Sequence, residues 1–289
     1  MKEIVKAKIA SLLSADEEIQ SVEQLGGMTN QNYLVKTSSN QYIVKFFGKG
    51  TDKLIDRQNE KFNLELLKDL KLDVENYLFD IDAGIKVNQY IENAETLDST
   101  TIKTKFEKIA PILQTIHASG KELKGEFAPF DEIKKYESLI QGEISYPNYE
   151  AVRKAVFSLK DQLEEIGIDK KSCHIDLVPE NFIEGSDGHL YLIDWEYSSM
   201  NDPMWDLAAL FLESEFTSAE EEDFLSHYES DKTPVSREKI RIYKILQDII
   251  WSLWTIYKEE NGADFGDYGI SRYNRAMNEL NYKGGTYEN

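Results

Sequence analysis

Strand-forming segments in this 289-residue chain crowd into its first third, and helix-period segments fill almost all of the rest. That asymmetry restricts the chain to an α+β fold in which a small sheet-based part joins a larger helical one. Residues 21–25, 33–37 and 41–47 are rich in Val, Ile, Tyr and Phe. They are separated by Gly26-Gly27-Met28-Thr29-Asn30 and Ser38-Ser39-Asn40, and so read as strands joined by turns. Residues 52–70 carry Leu54, Ile55, Phe62, Leu66, Leu67 and Leu70 at helical spacing, and strand character returns over 77–82 and 85–91. Beyond Asn93, helical periodicity runs through 97–119, 130–142, 148–167, 203–215, 219–230, 236–260 and 267–281, interrupted only by a strand-loop-strand region at 173–195. A boundary near residues 88–93 divides the chain into 1–90 and 91–289. Residues 1–13 mix Lys2, Glu3, Lys6 and Lys8 with Ile4, Val5, Ile9 and Leu12, the pattern of an amphipathic first helix rather than a signal peptide.

With 33 Lys+Arg against 53 Asp+Glu, the net charge of -20 excludes a nucleic-acid binder that relies on a basic face. The longest mainly apolar stretches, 208–212 and 249–257, fall far short of the roughly 20 residues that span a bilayer, so no membrane span is expected. A single cysteine, Cys173, makes no intramolecular disulfide, which fits a reducing cytoplasm.

The chemistry concentrates in His174-Ile175-Asp176, with Asn181 five residues beyond that Asp and Asp194 eighteen beyond it. Phosphoryl transfer to an alcohol needs a carboxylate to orient the hydroxyl and take its proton, and further oxygens to hold Mg²⁺ on a nucleotide's phosphates. Between Asn181 and Trp195 the order Phe182-Ile183, Gly185-Ser186-Asp187-Gly188, Leu190-Tyr191-Leu192-Ile193 reads as a hairpin that brings Asn181 near Asp194. The alternative is that these are turn-forming and capping residues. Upstream, Lys45 is one cation in an apolar strand, and Glu60 on the next helix is placed to pair with it and aim its ammonium at phosphates. Both residue types are also common on surfaces. Gly26-Gly27 permits close approach to phosphate or simply a tight hairpin.

His174 to Asn181, Ile193-Asp194-Trp195-Glu196-Tyr197 and Asp206-Leu207-Ala208 resemble the choline kinase and aminoglycoside phosphotransferase superfamily, which has a protein-kinase-like fold. Gly26-Gly27-Met28-Thr29-Asn30, Glu196-Tyr197-Ser198-Ser199 and Trp251-Ser252-Leu253-Trp254 are more similar to choline kinases, specifically the bacterial type that feeds phosphocholine decoration of surface polymers. The resemblance runs from about Val22 to the C-terminal helix. It implies a two-lobed fold with a β-rich N-lobe and a mainly helical C-lobe, ATP and Mg²⁺ as cofactors, and choline as a small-molecule acceptor. It casts Asp176 as catalytic base, Asn181 and Asp194 as Mg²⁺ ligands, Lys45 as the phosphate-pairing lysine and Glu60 as its partner. Gly26, Gly27, Thr29 and Asn30 fall in the nucleotide loop, and the adenine meets backbone groups around Gln89 to Ile91. Ile175 departs from the family, standing where many relatives carry Asn or Gly, as does Val178, where animal choline kinases carry a polar residue.

Choline's quaternary ammonium offers no hydrogen-bond donor, so aromatic faces and nearby carboxylates must hold it. Trp251 and Trp254, three apart, share a helix face. Spacing alone favours core packing for this pair, whereas the resemblance implies a cage of Tyr197, Trp251, Trp254 and Tyr268 with negative charge from Glu213. Trp195 and Trp205 are read as structural. The resemblance also implies that Asp206 braces the catalytic loop. His174 is expected to organise the catalytic centre by hydrogen bonding, His117 to pack, and His189 and His227 to be exposed. Oligomeric state is not encoded in any of these features. The competing readings are a kinase of ethanolamine, another amino alcohol or an aminoglycoside, and a catalytically silent kinase-like binding protein.

Overall fold

A computed structural model describes residues 2–14, 16–26, 30–48 and 50–280. Helix α1 (Lys2–Ile9) buries Val5 and Ile9. Strands β1 (Ile19–Gln24), β2 (Gln31–Thr37), β3 (Gln41–Phe46), β4 (Asn76–Asp80) and β5 (Ile85–Gln89) form an antiparallel sheet in the order β1-β2-β3-β5-β4. One face carries Tyr33, Val35, Tyr42, Val44, Ile85 and Val87, which pack with Val5 and Ile9 into a core of their own. Alternation along the strands sends Lys45 and Lys86 to the other face, and the register sets these two lysines directly opposite each other.

Helix α2 (Arg57–Leu67) crosses between β3 and β4. The helix expected over 52–70 starts later: a 3₁₀ turn occupies Thr51–Lys53, and Asp56 then caps α2 by accepting from the backbone N–H groups of Gln58 and Asn59. Its buried positions are Arg57, Glu60, Asn63 and Leu67, so much of the inward stripe is polar, and Phe62, expected in an apolar stripe, is 40% exposed.

The remainder is mainly helical: β6 (Glu95–Thr96), α3 (Phe106–His117), α4 (Pro129–Leu139), α5 (Tyr149–Ile166), β7 (Lys171–Cys173), β8 (Phe182–Glu184), β9 (Leu190–Leu192), β10 (Ser199–Asn201), α6 (Pro203–Glu213), α7 (Ser218–Tyr228), α8 (Arg237–Glu260) and α9 (Tyr268–Glu279). The helix expected from residue 97 begins at Phe106, after a 3₁₀ turn at Ile102–Thr104. Helix α8 is the central beam, with α4, α5, α6 and α9 packed around it. A second core joins these helices to Leu54, Ile55 and Leu67 on the N-terminal side. No helix among the described residues is long and apolar enough to cross a membrane.

Candidate active site

The β8–β9 hairpin pairs Phe182 with Leu192 and Glu184 with Leu190. Its turn closes through the Gly188 N–H donating to Gly185 O at 2.8 Å, with Gly188 at φ 80, which only glycine adopts readily. At the open end, Ile193 N–H donates to Asn181 O at 2.8 Å, so the chain places Asn181 beside Asp194. Asn181 Nδ2 donates to the Asp176 carbonyl at 2.8 Å, which leaves its Oδ1 without a partner among the described residues. Lys45 reaches across from β3 and pairs with Asp194 Oδ1 at 2.6 Å. Against the penalty of burial, Lys45 and Lys86 hold Asp194 below the usual carboxylate range, and Asp194 and Glu196 hold the Lys45 ammonium above the usual lysine range. The Asp176 carboxylate accepts no hydrogen bond from a described residue. Burial, then the charges of Asp194 and Glu196, push it up to about 7. A carboxylate without donors among the described residues, beside the side-chain oxygens of Asn181 and Asp194, is an arrangement that could activate a hydroxyl near a hard cation.

The loop that carries Asp176 is strained and braced. Ile175 sits at φ 79, a left-handed conformation costly for a β-branched residue and natural for Gly or Asn. Asp206, fully buried on α6, accepts the backbone N–H groups of His174 and Ile175 at 2.8 Å each, and its Oδ2 lies 3.0 Å from His117 Nε2. Trp205 Nε1 donates to the Ile175 carbonyl at 3.0 Å, and Trp195 Nε1 to Leu192 O at 2.8 Å, so both tryptophans are structural. His174 is buried with Nε2 2.9 Å from Ile193 O, and burial lowers its pKa; it ties the Asp176 loop to the Asp194 loop as a neutral ring. Burial raises the Cys173 thiol well above its ordinary value, which makes it inert. His189 and His227 are exposed.

Several N-terminal expectations change. Glu60 does not meet Lys45: it pairs with Arg57 at 2.6 Å and with Lys86 at 3.0 Å. The cause is register, since Lys86 lies opposite Lys45 and takes the helix carboxylate while Asp194 takes Lys45. Asn30, expected to face the nucleotide, is 7% exposed and committed to protein contacts: Nδ2 donates to Glu196 at 2.7 Å, and Oδ1 accepts from Arg57 at 3.0 Å and Gly48 N–H at 3.3 Å. A Cβ added at Gly26 meets nothing within 4 Å among the described residues, so none of them demands glycine there. Gly27 and Thr29 lie outside the described residues. At the hinge, the Gln89 N–H is already spent on Glu75 O at 2.8 Å, whereas the Ile91 N–H has no partner among the described residues. Arg57, Lys86 and Glu196 were not anticipated as site residues; the Arg57/Glu60 spacing at a helix start was the available signal.

The aromatic residues form one continuous array. Tyr197 packs on Trp251 at 5.9 Å, Trp251 on Trp254 at 6.4 Å, Trp254 on Phe265 at 5.0 Å, and Phe265 on Tyr268 at 6.4 Å. Phe265, not anticipated, closes the gap between the α8 pair and α9. Burial and then nearby charges, Asp176 among them, raise the phenols of Tyr197 and Tyr268, so both ends of the array lie within electrostatic reach of Asp176. Two rings already face cations: Lys258 Nζ lies 5.7 Å from the Trp254 centroid, and the Arg272 guanidinium 4.8 Å from that of Tyr268. Glu213, expected as free negative charge, is instead ion-paired with Arg272, which also binds Asp248 at 3.0 Å. A buried arginine from α9 therefore consumes that charge.

Residues 22–239 match the family described as Choline/ethanolamine kinase. Protein LicA of Haemophilus influenzae is 32% identical over 268 residues, 89% of this chain and 78% of that protein. The crystal structure of choline kinase LicA from Streptococcus pneumoniae superposes with TM-score 0.94 at 76% identity, covering 98% of this chain and 99% of that one. The structure of LicA in complex with AMP gives TM-score 0.92 at 77% identity, covering 96% and 97%. The carboxylate hairpin, the braced loop and the aromatic array thus stand in a chain that belongs to the choline/ethanolamine kinase family.

Proposed function

We propose that this protein is a choline kinase, transferring the γ-phosphoryl group of ATP to the choline hydroxyl. The observation that carries the reading is the continuous aromatic array whose end rings, Tyr197 and Tyr268, feel the charge of Asp176, a carboxylate with no hydrogen-bond donor among the described residues. The high identity to a choline kinase of known structure, and the AMP complex of a LicA protein, support acceptor and nucleotide alike.

In this reading Asp176 accepts the proton of the choline hydroxyl and aims that oxygen at the phosphoryl group. Lys45 leaves Asp194 for the phosphates as a mobile point charge. The donor set fits Mg²⁺: Asn181 Oδ1 and Asp194 Oδ2 are oxygens without described hydrogen-bond partners and would hold the ion. When bound, Mg²⁺ neutralises charge on the nucleotide phosphates. The Ile91 N–H, without a partner among the described residues, would donate to adenine at the hinge.

Choline is favoured over ethanolamine by the fate of Glu213. A primary ammonium gains most from hydrogen-bond acceptors, and the Glu213 carboxylate is engaged by Arg272. A quaternary ammonium donates no hydrogen bond, so it depends less on that carboxylate and more on the ring faces. Because a desolvated cation–π contact contributes about 2 kcal/mol, Trp254→Ala is expected to lower kcat/KM for choline roughly thirtyfold and that for ethanolamine by less than about threefold. Steady-state kinetics with both acceptors on the same variant checks this; equal losses would place Trp254 in the core alone. Supply of phosphocholine for surface-polymer decoration, the role that the sequence resemblance implies, belongs to the same proposal.

A further inference from the structure

Arg57 opens α2 and is buried at the junction of the two lobes. Its Nη1 donates to Glu60 at 2.6 Å and to Glu196 at 2.9 Å; its Nη2 donates to Asn30 Oδ1 at 3.0 Å and approaches Thr51 Oγ1 at 3.5 Å; its guanidinium lies 4.1 Å from the Phe47 ring centroid. Glu196 receives a second bond from Asn30 Nδ2 at 2.7 Å, and Glu60 is held from behind by Lys86 at 3.0 Å. One guanidinium therefore joins the segment entering β2, the turn after β3, the start of α2 and, two residues beyond Asp194, the turn of the helical lobe.

A second tie crosses the lobes nearby, the Lys45–Asp194 pair at 2.6 Å. That tie is temporary if Lys45 moves to phosphate and Asp194 to the metal, as the kinase reading on which this inference rests requires. Once it opens, Arg57–Glu196 is the charged contact still joining strand-lobe and helical-lobe elements at the phosphate side. We infer that Arg57 is a positioning residue for phosphoryl transfer: it holds Glu196, and with it the Asp194 turn, in fixed register with the strand that carries Lys45. The planar fork matters as much as the charge, since a lysine ammonium cannot serve Glu60, Glu196 and Asn30 in one plane. Glu60 and Lys86 balance the site without touching the reacting groups.

The test is steady-state kinetics with ATP and choline on wild type, Arg57→Gln, Arg57→Lys, Glu196→Gln and the Arg57→Gln/Glu196→Gln double variant, each with its melting midpoint. The expected result is a kcat loss of about a hundredfold for Arg57→Gln with the choline KM within about threefold of wild type, because the aromatic array is untouched. Arg57→Lys is expected to recover less than a tenth of wild-type kcat, and the double variant to be no slower than the slower single one. Wild-type kcat in Arg57→Lys, additive losses in the double variant, or a lowered melting midpoint with kcat per folded molecule retained would each overturn the inference while leaving the kinase reading intact. If Arg57→Gln does not fold, Arg57→Lys decides alone. A wild type without phosphorylated product overturns the kinase reading, and this inference with it.

Discussion

An Asp176→Asn enzyme is expected to turn over about 10³-fold more slowly than wild type and, in metal-free buffer at pH 8, to melt at a higher temperature. The two effects share a cause. Asp176 is half-buried near Asp194 and Glu196 with no donor among the described residues to satisfy its charge, and its pKa is pushed up to about 7 from an ordinary 3.8. The folded protein therefore favours the neutral acid, and ionisation above pH 7 works against the fold. Removing the charge recovers on the order of 1–3 kcal/mol, discounted for the residue's partial exposure, or roughly 3–10 °C in melting midpoint. The sign makes the effect pH-dependent: the stability gap between variant and wild type is full above the folded value of about 7, shrinks as pH falls, and closes below the ordinary value of 3.8, where wild-type Asp176 is protonated in both states. Calorimetry across that range checks it. A variant that melts lower than wild type at pH 8 would show that Asp176 is held by favourable contacts instead, and a variant that keeps wild-type turnover would remove it from the chemistry.

Asp206→Ala is expected to lower stability by roughly 3–5 kcal/mol, as breaking a buried charged network does, and to cut kcat about a hundredfold without contact with either substrate. Asp206 accepts two backbone N–H groups from the loop before Asp176 and lies within hydrogen-bond reach of His117, all fully or nearly fully buried. Without it, those donors are orphaned and the left-handed conformation of Ile175 loses its main restraint. His117→Phe removes the 3.0 Å contact to Asp206 and the 2.7 Å bond to the buried Tyr228 hydroxyl but leaves the two backbone bonds to Asp206, so its cost is about 1–3 kcal/mol. Thermal melts of both variants, with kcat corrected for folded fraction, separate the two. Equal melting midpoints for Asp206→Ala and wild type would contradict the bracing role.

The hairpin between Asn181 and Asp194 was legible because its turn is built from Gly and Asp and its strands are short apolar runs; no tertiary information is needed to bring its two ends together. Four rings of the array, Tyr197, Trp251, Trp254 and Tyr268, were named by the family resemblance; spacing alone showed that Trp251 and Trp254 are helix neighbours and favoured core packing for them. Phe265 was named by neither, because it lies in the link between α8 and α9, where no period marks a residue. The charged partners were the least legible. Lys45 and Lys86 are equivalent by local pattern, one cation in an apolar strand each, and only strand register assigns Glu60 to the second. Glu213 looked free because its partner Arg272 comes 59 positions later on another helix. Over 52–70, hydrophobic periodicity found Leu54, Ile55 and Leu67, which are buried, and missed the polar part of the inward face, Arg57, Glu60 and Asn63; a polar face turned inward is where function displaced packing.

The central claim is that this site makes phosphocholine. Its direct measurement is ³¹P NMR of wild-type enzyme with ATP, Mg²⁺ and choline, run beside an identical sample with ethanolamine. The expected spectrum shows ATP consumed as ADP and phosphocholine accumulate in equal amounts, with kcat/KM for choline at least about tenfold above that for ethanolamine. ATP left unconsumed with choline present, or faster turnover of ethanolamine, would contradict it.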